Sequence, residues 1–145
     1  MTLRPATAID LPELVEMGLR FLAEEYDGSI VGNAEKVRAT AQQLVDAGAM
    51  FVLEDRGGSL QGMTGWLVYD HFLSGERVAS PVCWWVNPPA RQGRNGLRLW
   101  TAGIDWARSQ GATRLQASAP NPTTERIYQV LQLEKFETHY QRSLA

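Results

Sequence analysis

The stretch SPVCWWVNPPARQGRNGLRLWTAGIDWA, Ser80 to Ala107, decides how the chain is read. The apolar run Val82–Val86 reads as a strand, Asn87-Pro88-Pro89 as a tight exit, and Arg91–Gly96 as a Gly/Arg loop. A long amphipathic helix follows, with Leu97, Trp100, Ile104 and Ala107 on one stripe and Leu99, Gly103 and Trp106 on a second. A strand that runs through such a loop into a helix N-terminus can hold a phosphate, because the free N–H groups of the first turn and the helix dipole both point at the anion. Gly93 and Gly96 let the backbone approach closely, and Arg91, Arg94 and Arg98 add permanent multi-donor charge. The expected ligand carries several phosphates. The competing reading of the three arginines is a solvated basic face.

The rest of the chain bounds what that ligand serves. At 145 residues, with 44% hydrophobic and 21% charged residues, the sequence is expected to form a single domain spanning 1–145 with a substantial core. A net charge of −2, without a basic stripe interleaved with aromatics, argues against nucleic acid. One cysteine excludes an internal disulfide and a cysteine-based metal cage, and no metal site is expected. No run approaches the roughly 20 apolar residues of a membrane span, and the expected setting is cytoplasmic, with no membrane partner.

In chain order, Thr2–Thr7 reads as a short strand. Asp10, paired with Glu13 as a capping box, starts a helix with Leu11, Val15, Gly18, Leu19 and Leu22 on one face. The helix ends in Glu24-Glu25-Tyr26-Asp27, which is either a solvated terminus or an acidic patch attractive to an amine. Asn33 caps a second helix that Gly48 stops. Strands over Ala49–Glu54 and Met63–Leu73 form a meander, with Trp66, Val68 and Phe72 assigned to one face of the second. After the long helix, Thr113–Ala119 alternates as a strand parallel to the central one. Asn121 or Thr123 caps a short helix carrying Ile127, Tyr128 and Leu131, and Phe136–Gln141 is the expected closing strand.

The segment Val86-x-Pro88-x-x-Arg91-Gln92-Gly93-Arg94-Asn95-Gly96-Leu97 resembles the acetyl-CoA loop of the GNAT superfamily of N-acetyltransferases, whose pattern is Arg/Gln-x-x-Gly-x-Gly/Ala. Arg91 and Gly96 match, Arg94 stands at the inner glycine, and Gly93 comes one place early. The order of helices and strands is similar to that family's. So is Asn121 followed seven residues on by Tyr128, although the usual Gly-Phe beyond it is Gln132-Leu133 here. The resemblance covers nearly the whole chain. It implies an α/β fold: a mixed central sheet with a splayed central strand, flanked by about four helices. The Arg-x-Gly-Arg-x-Gly form is similar to loops of bacteriophage and prophage members.

What the resemblance implies chemically is acetyl transfer from acetyl-CoA to a small-molecule or peptide amine by direct attack in a ternary complex. The amides of Gln92, Gly93, Arg94, Asn95, Gly96 and Leu97 would hold the pyrophosphate. Backbone groups near Trp85 and Val86, with Asn121, would hold the pantetheine arm. Tyr128 would be general acid or thiolate stabiliser. A tyrosine pKa of about 10 against about 8.5 for a thiol makes full proton transfer uphill by roughly 2 kcal/mol. The alternative for Tyr128 is an anchor for the last helix. The general base stays open among Glu24, Glu25, Asp70, His71 and water. An acyl-cysteine route through Cys83 lacks a His or Asp partner at a recognisable spacing. His139 reads as an ordinary strand residue. The family allows a homodimer. The rival reading is a GNAT-fold protein that binds CoA or a protein partner without catalysis, whereas a dinucleotide-binding fold lacks its GxGxxG fingerprint here.

Overall fold

Burial along the strands shows two covered sheet faces. Leu60–Trp66 is almost continuously buried rather than alternating, the pattern of a strand sandwiched between helical layers. The computed structural model describes residues 1–145. In order these form β1 (Thr2–Pro5), a 3-10 turn at Ala8–Asp10, α1 (Leu11–Glu25), α2 (Ala34–Asp46), β2 (Met50–Glu54), β3 (Leu60–Asp70) and β4 (Arg77–Val86). A second 3-10 turn at Pro88–Ala90, α3 (Asn95–Ser109), β5 (Arg114–Leu115) and α4 (Pro122–Val130) follow. The sheet order is β1-β2-β3-β4-β5, antiparallel except for the β4–β5 pair. This is the mixed central sheet with four helices that the sequence led us to expect, with five strands rather than six.

The α1/α2 layer packs Leu11, Leu14, Met17, Ala41 and Leu44 against Met50, Val52, Met63 and Trp85. On the other face α3 sets Leu99 against Leu53 and Val86, and sets Trp100 and Ala107 against Trp66 and Ala79. Gly103 is what lets α3 lie this close. A Cβ there would fall 1.8 Å from the Trp66 indole nitrogen. Trp66 is fully buried, and its Nε1 donates to Thr64 Oγ1 (2.8 Å), which donates in turn to the Cys83 carbonyl (3.1 Å). The buried polar groups of this layer are thereby satisfied in a chain. At the far edge, Arg4 binds both oxygens of buried Asp10 (2.8 and 2.9 Å) and donates Nε to Glu54 (2.7 Å). The guanidinium holds the Asp10 carboxyl below the usual carboxylate range.

Several local expectations are corrected. Glu13 does not complete a capping box with Asp10; its carboxylate accepts the Leu60 amide at 2.9 Å. The box lies one turn earlier, where Asp10 accepts the Thr7 amide (2.8 Å). β3 begins at Leu60 and ends at Asp70, so Phe72 and Leu73 sit in the turn, almost fully exposed, rather than on a strand face. β5 is two residues long rather than spanning Thr113–Ala119. Phe136–Gln141 forms no strand, and Phe136 and Tyr140 are exposed. A closing strand needs an edge to register against, and two paired residues offer too short a ladder. Asn33 and Gly48 do bound α2 as expected: the Asn33 side chain accepts the Lys36 amide, and Gly48 adopts φ 68°.

Candidate active site

The site starts from a proline in the middle of the sheet. Arg77 and Ala79 direct their carbonyls toward β5, accepting from the amides of Thr113 and Gln116 at 2.9 Å. By the parallel pattern the next donor on that side is residue 81, which is Pro81 and has no N–H. The Gln116 carbonyl is taken instead by the Ser80 hydroxyl at 2.7 Å. Beyond this point no backbone hydrogen bond joins Pro81–Val86 to residues 117–121, and the two chains diverge. Val82 is the extra residue of a bulge, since Trp66 pairs with Pro81 while Gly65 pairs with Cys83. The bulge reverses the alternation. Asn87 donates to Gln61 on the β3 side, so Trp85 also faces β3, and the backbone groups of Trp84 and Val86 face the gap. Trp84, rather than the expected Trp85, thus accompanies Val86 there; the Trp85 indole donates to Asn87 Oδ1 at 2.9 Å.

At the end of the gap, six consecutive amides, Gln92 to Leu97, have no hydrogen-bond partner within the protein. Gly93 turns the loop at φ 79°, a conformation that disfavours other residues, and Arg94 at the N-cap position supplies no side-chain cap. The α3 N-terminus is therefore open to an anion. The three arginines divide in role. Arg91 lies over the Trp85 ring (4.7 Å), donates Nε to the Val86 carbonyl (2.8 Å) and pairs with Glu24 (2.7 Å). Arg98 holds the Met1 carbonyl with both terminal nitrogens at 3.1 Å. Arg94 alone makes no hydrogen bond or ion pair. Asn95 ties the loop to the Ala90 carbonyl (3.0 Å), and the Gly96 carbonyl accepts from the Trp84 indole (3.0 Å). Gln92 is exposed and Leu97 half exposed.

Tyr128 faces the divergence from α4. Its ring lies parallel to Trp84 (centroids 6.4 Å apart, planes 8° apart) and against Trp100, and its hydroxyl makes one long bond to the Ser118 carbonyl (3.3 Å). Burial first, then the nearby Glu25 carboxylate and Tyr26, push its phenol up to about 12. Asn121 caps α4 by accepting the Thr124 amide (2.9 Å) and donates to both the carbonyl and the carboxylate of Glu25 (2.9 Å each). Thr124 Oγ1 donates to the same carboxylate at 2.9 Å. Asn121 thus clasps α4 to the end of α1, a link no local motif in the sequence discloses.

The base candidates separate by position. Asp70 pairs with Arg77 (3.2 Å), and His71 Nδ1 accepts two turn amides. Both lie at the opposite end of β4, seven residues or about 23 Å of extended chain from Trp84. Glu24 and Glu25 border the site, and each already has partners. Burial pushes the Cys83 thiol up to about 12, so it is not a nucleophile at neutral pH. No group of three or more His, Cys, Asp or Glu residues could hold a metal ion. On the α1/α2 side of the strand a cavity of about 350 Å³ reaches down to Val82 and Cys83. No helix is long and apolar enough to cross a membrane.

A mixed sheet with a forked central strand and helices on both faces is the fold of the GNAT proteins. The model of the acetyltransferase (GNAT) family matches residues 9–131, and the chain belongs to that family, whose members use acetyl-CoA. A solved Bacillus halodurans protein superposes with a TM-score of 0.82 at 14% identity, covering 100% of both chains. An aminoglycoside 6'-N-acetyltransferase from Acinetobacter haemolyticus gives 0.79 at 14% identity, covering 100% of this chain and 99% of its own. An aminoglycoside N-acetyltransferase solved in complex with CoA gives 0.75 at 18% identity over 99% and 95%. At these identities the likeness is one of fold. No curated protein matches the chain in sequence.

Proposed function

We propose that the protein is an acetyl-CoA-dependent N-acetyltransferase acting on a primary amine in a ternary complex. The observation that carries this reading is the run of six unpartnered amides, Gln92–Leu97, at one end of a strand gap that Tyr128 borders. Acetyl-CoA supplies an activated thioester and, in its pyrophosphate, the anion these amides suit. Arg94 adds charge to that cradle. The amides of Trp84 and Val86 are free to pair with an extended amide-bearing arm, and Asn121 holds the α4 side of the gap in position. A C–N bond forms as the C–S bond breaks, and the departing sulfur takes the electron pair. With its phenol near 12 against about 8.5 for a thiol, Tyr128 would lose about 5 kcal/mol by surrendering its proton. It therefore keeps the proton and donates a hydrogen bond to the developing thiolate. The partnered state of Glu24 and Glu25 favours water as acceptor of the ammonium proton. The same state favours the second reading, a protein that binds CoA without transfer.

Calorimetric titration with acetyl-CoA tests the reading. Micromolar binding, weakened about tenfold (about 1.4 kcal/mol) by Arg94→Ala, is expected. A transfer assay then separates catalysis from binding alone. No binding at millimolar ligand by folded protein overturns both readings.

A further inference from the structure

The cavity beside Val82 carries an inference about the acceptor, and it rests on the acetyltransferase reading above. Sixteen residues line it and eleven are hydrophobic, among them Leu14, Phe21 and Leu22 of α1, Val37 and Leu44 of α2, and Val82 of β4. At about 350 Å³ it has the size and lining of a small-molecule site. Its charge is as informative as its shape. No aspartate or glutamate lines it; the single charged residue is Lys36, exposed on the first turn of α2 and without a salt bridge. Of the acids at the end of α1, Glu24 is held by Arg91 and Glu25 by Asn121 with Thr124, and Asp27 does not line the cavity.

The cavity also leads to the reacting end. Val82, on its floor, is the bulged residue of the β3–β4 pairing and directly follows Pro81, where β4 and β5 part. Phe21, on its wall, meets Tyr26 edge to face with centroids 6.0 Å apart, and Tyr26 lies near enough to Tyr128 to oppose its ionisation. A ligand seated among Phe21, Leu22, Val37 and Val82 therefore has one end beside the gap.

We infer that this cavity is the acceptor pocket and that it takes a monoamine with a compact apolar or aromatic body, neutral or anionic at its outer end, and not a polyamine or aminoglycoside. Burying the apolar body supplies the affinity. A polycation would place desolvated charges against apolar walls and beside Lys36 with no carboxylate to answer them.

The test compares 2-phenylethylamine, L-phenylalanine, spermidine and kanamycin as acceptors, with acetyl-CoA binding measured in parallel. The expected result is kcat/KM for 2-phenylethylamine at least tenfold above spermidine and kanamycin. Thr40→Trp, which fills the cavity from α2, should raise the 2-phenylethylamine KM at least tenfold while leaving the acetyl-CoA Kd unchanged. Lys36→Glu should narrow the discrimination against spermidine. If Thr40→Trp loses acetyl-CoA binding through misfolding, Leu22→Asn serves as the pocket variant. Acetyl-CoA binding with preferred transfer to spermidine or kanamycin, or pocket variants with unchanged KM, overturns this inference and leaves the acetyltransferase reading standing. Failure to bind acetyl-CoA overturns both.

Discussion

The Ser80 hydroxyl holds the Gln116 carbonyl at 2.7 Å, where a residue other than Pro81 would present a backbone amide. The gap between β4 and β5 is therefore written into one missing donor. Pro81→Val restores that donor and should extend the parallel ladder by one rung. The expected outcome is an unchanged or higher melting temperature with acetyl-CoA affinity reduced about tenfold, or about 1.4 kcal/mol by calorimetry. Undiminished affinity would show that the gap opens for another reason.

Gly103→Ala puts a methyl group 1.8 Å from the Trp66 indole nitrogen, in a layer with no slack on either side. Overpacking of this kind costs about 1–3 kcal/mol, and rigid partners push it to the upper end. Urea titration followed by tryptophan fluorescence should show a lowered midpoint. A midpoint equal to wild type would mean that α3 is free to shift outward.

Tyr128→Phe should lower kcat by ten- to a hundredfold while leaving acetyl-CoA binding intact, because in the proposed mechanism the hydroxyl acts on the leaving sulfur while the ring packing on Trp84 is preserved. The pH dependence has a definite sign. The folded phenol is raised to about 12 from about 10, so the folded state keeps its proton longer. Its stabilising effect is complete below pH about 10 and is lost as pH rises toward 12. The rate should show no alkaline limb from Tyr128 below pH about 11. A limb near pH 8 that vanishes in Tyr128→Phe would refute the hydrogen-bond role.

Arg4 and Asp10 give the opposite sign. The Asp10 carboxyl is depressed in the folded protein by its bonds to Arg4, so its contribution is present above pH about 4 and disappears as pH falls through the lowered folded value. Arg4→Ala strands the buried carboxylate and should cost about 3 kcal/mol at pH 7, less in acid. Equilibrium unfolding at pH 7 and pH 3 checks both. Equal losses at the two pH values would contradict the pairing.

Gln132 ends α4 in the left-handed region, φ 65°, with Leu133 donating to the Tyr128 carbonyl (2.9 Å) and Gln132 to Gln129 (3.0 Å). This is the Schellman arrangement, for which glycine is the strain-free residue. Gln132→Gly should raise stability by about 1 kcal/mol, read as a shifted urea midpoint. Loss of stability would place the strain elsewhere.

That last position shows how much of the molecule the sequence discloses. Gln132-Leu133 departs from the Gly-Phe of similar proteins in residue type, yet it keeps the turn, and Leu133 packs against the cluster that holds Trp66 and Trp100. The helices and the meander were legible because period and caps are local. The splayed strand was expected from the resemblance alone; the residues that place it were not legible, because they depend on which edge of the strand lacks a donor, and that parity changes at the Val82 bulge. The resemblance pointed to Trp85 as the gap residue, and the bulge puts the Trp84 backbone there instead. Arg91, Arg94 and Arg98 were visible as a cluster, but only distant partners (Glu24 for Arg91, Met1 for Arg98) separate the free side chain from the engaged ones. The cavity between α1, α2 and the sheet left no motif, since its walls are ordinary residues of five elements and the α1–α2 loop.

The Asn121–Glu25 clasp joins positions 96 residues apart. Contacts of such separation bear the largest loop-closure cost and are made late in folding. The sheet and α3 can form their hydrogen bonds without it; the walls that face Tyr128 cannot close until it is made. A clasp that forms last predicts that hydrogen exchange in the α4 amides reports a local opening well below the free energy that protects β3. A ligand that bridges α3 and α4 would lock that last step, which makes the occupied protein a more slowly unfolding molecule than the empty one.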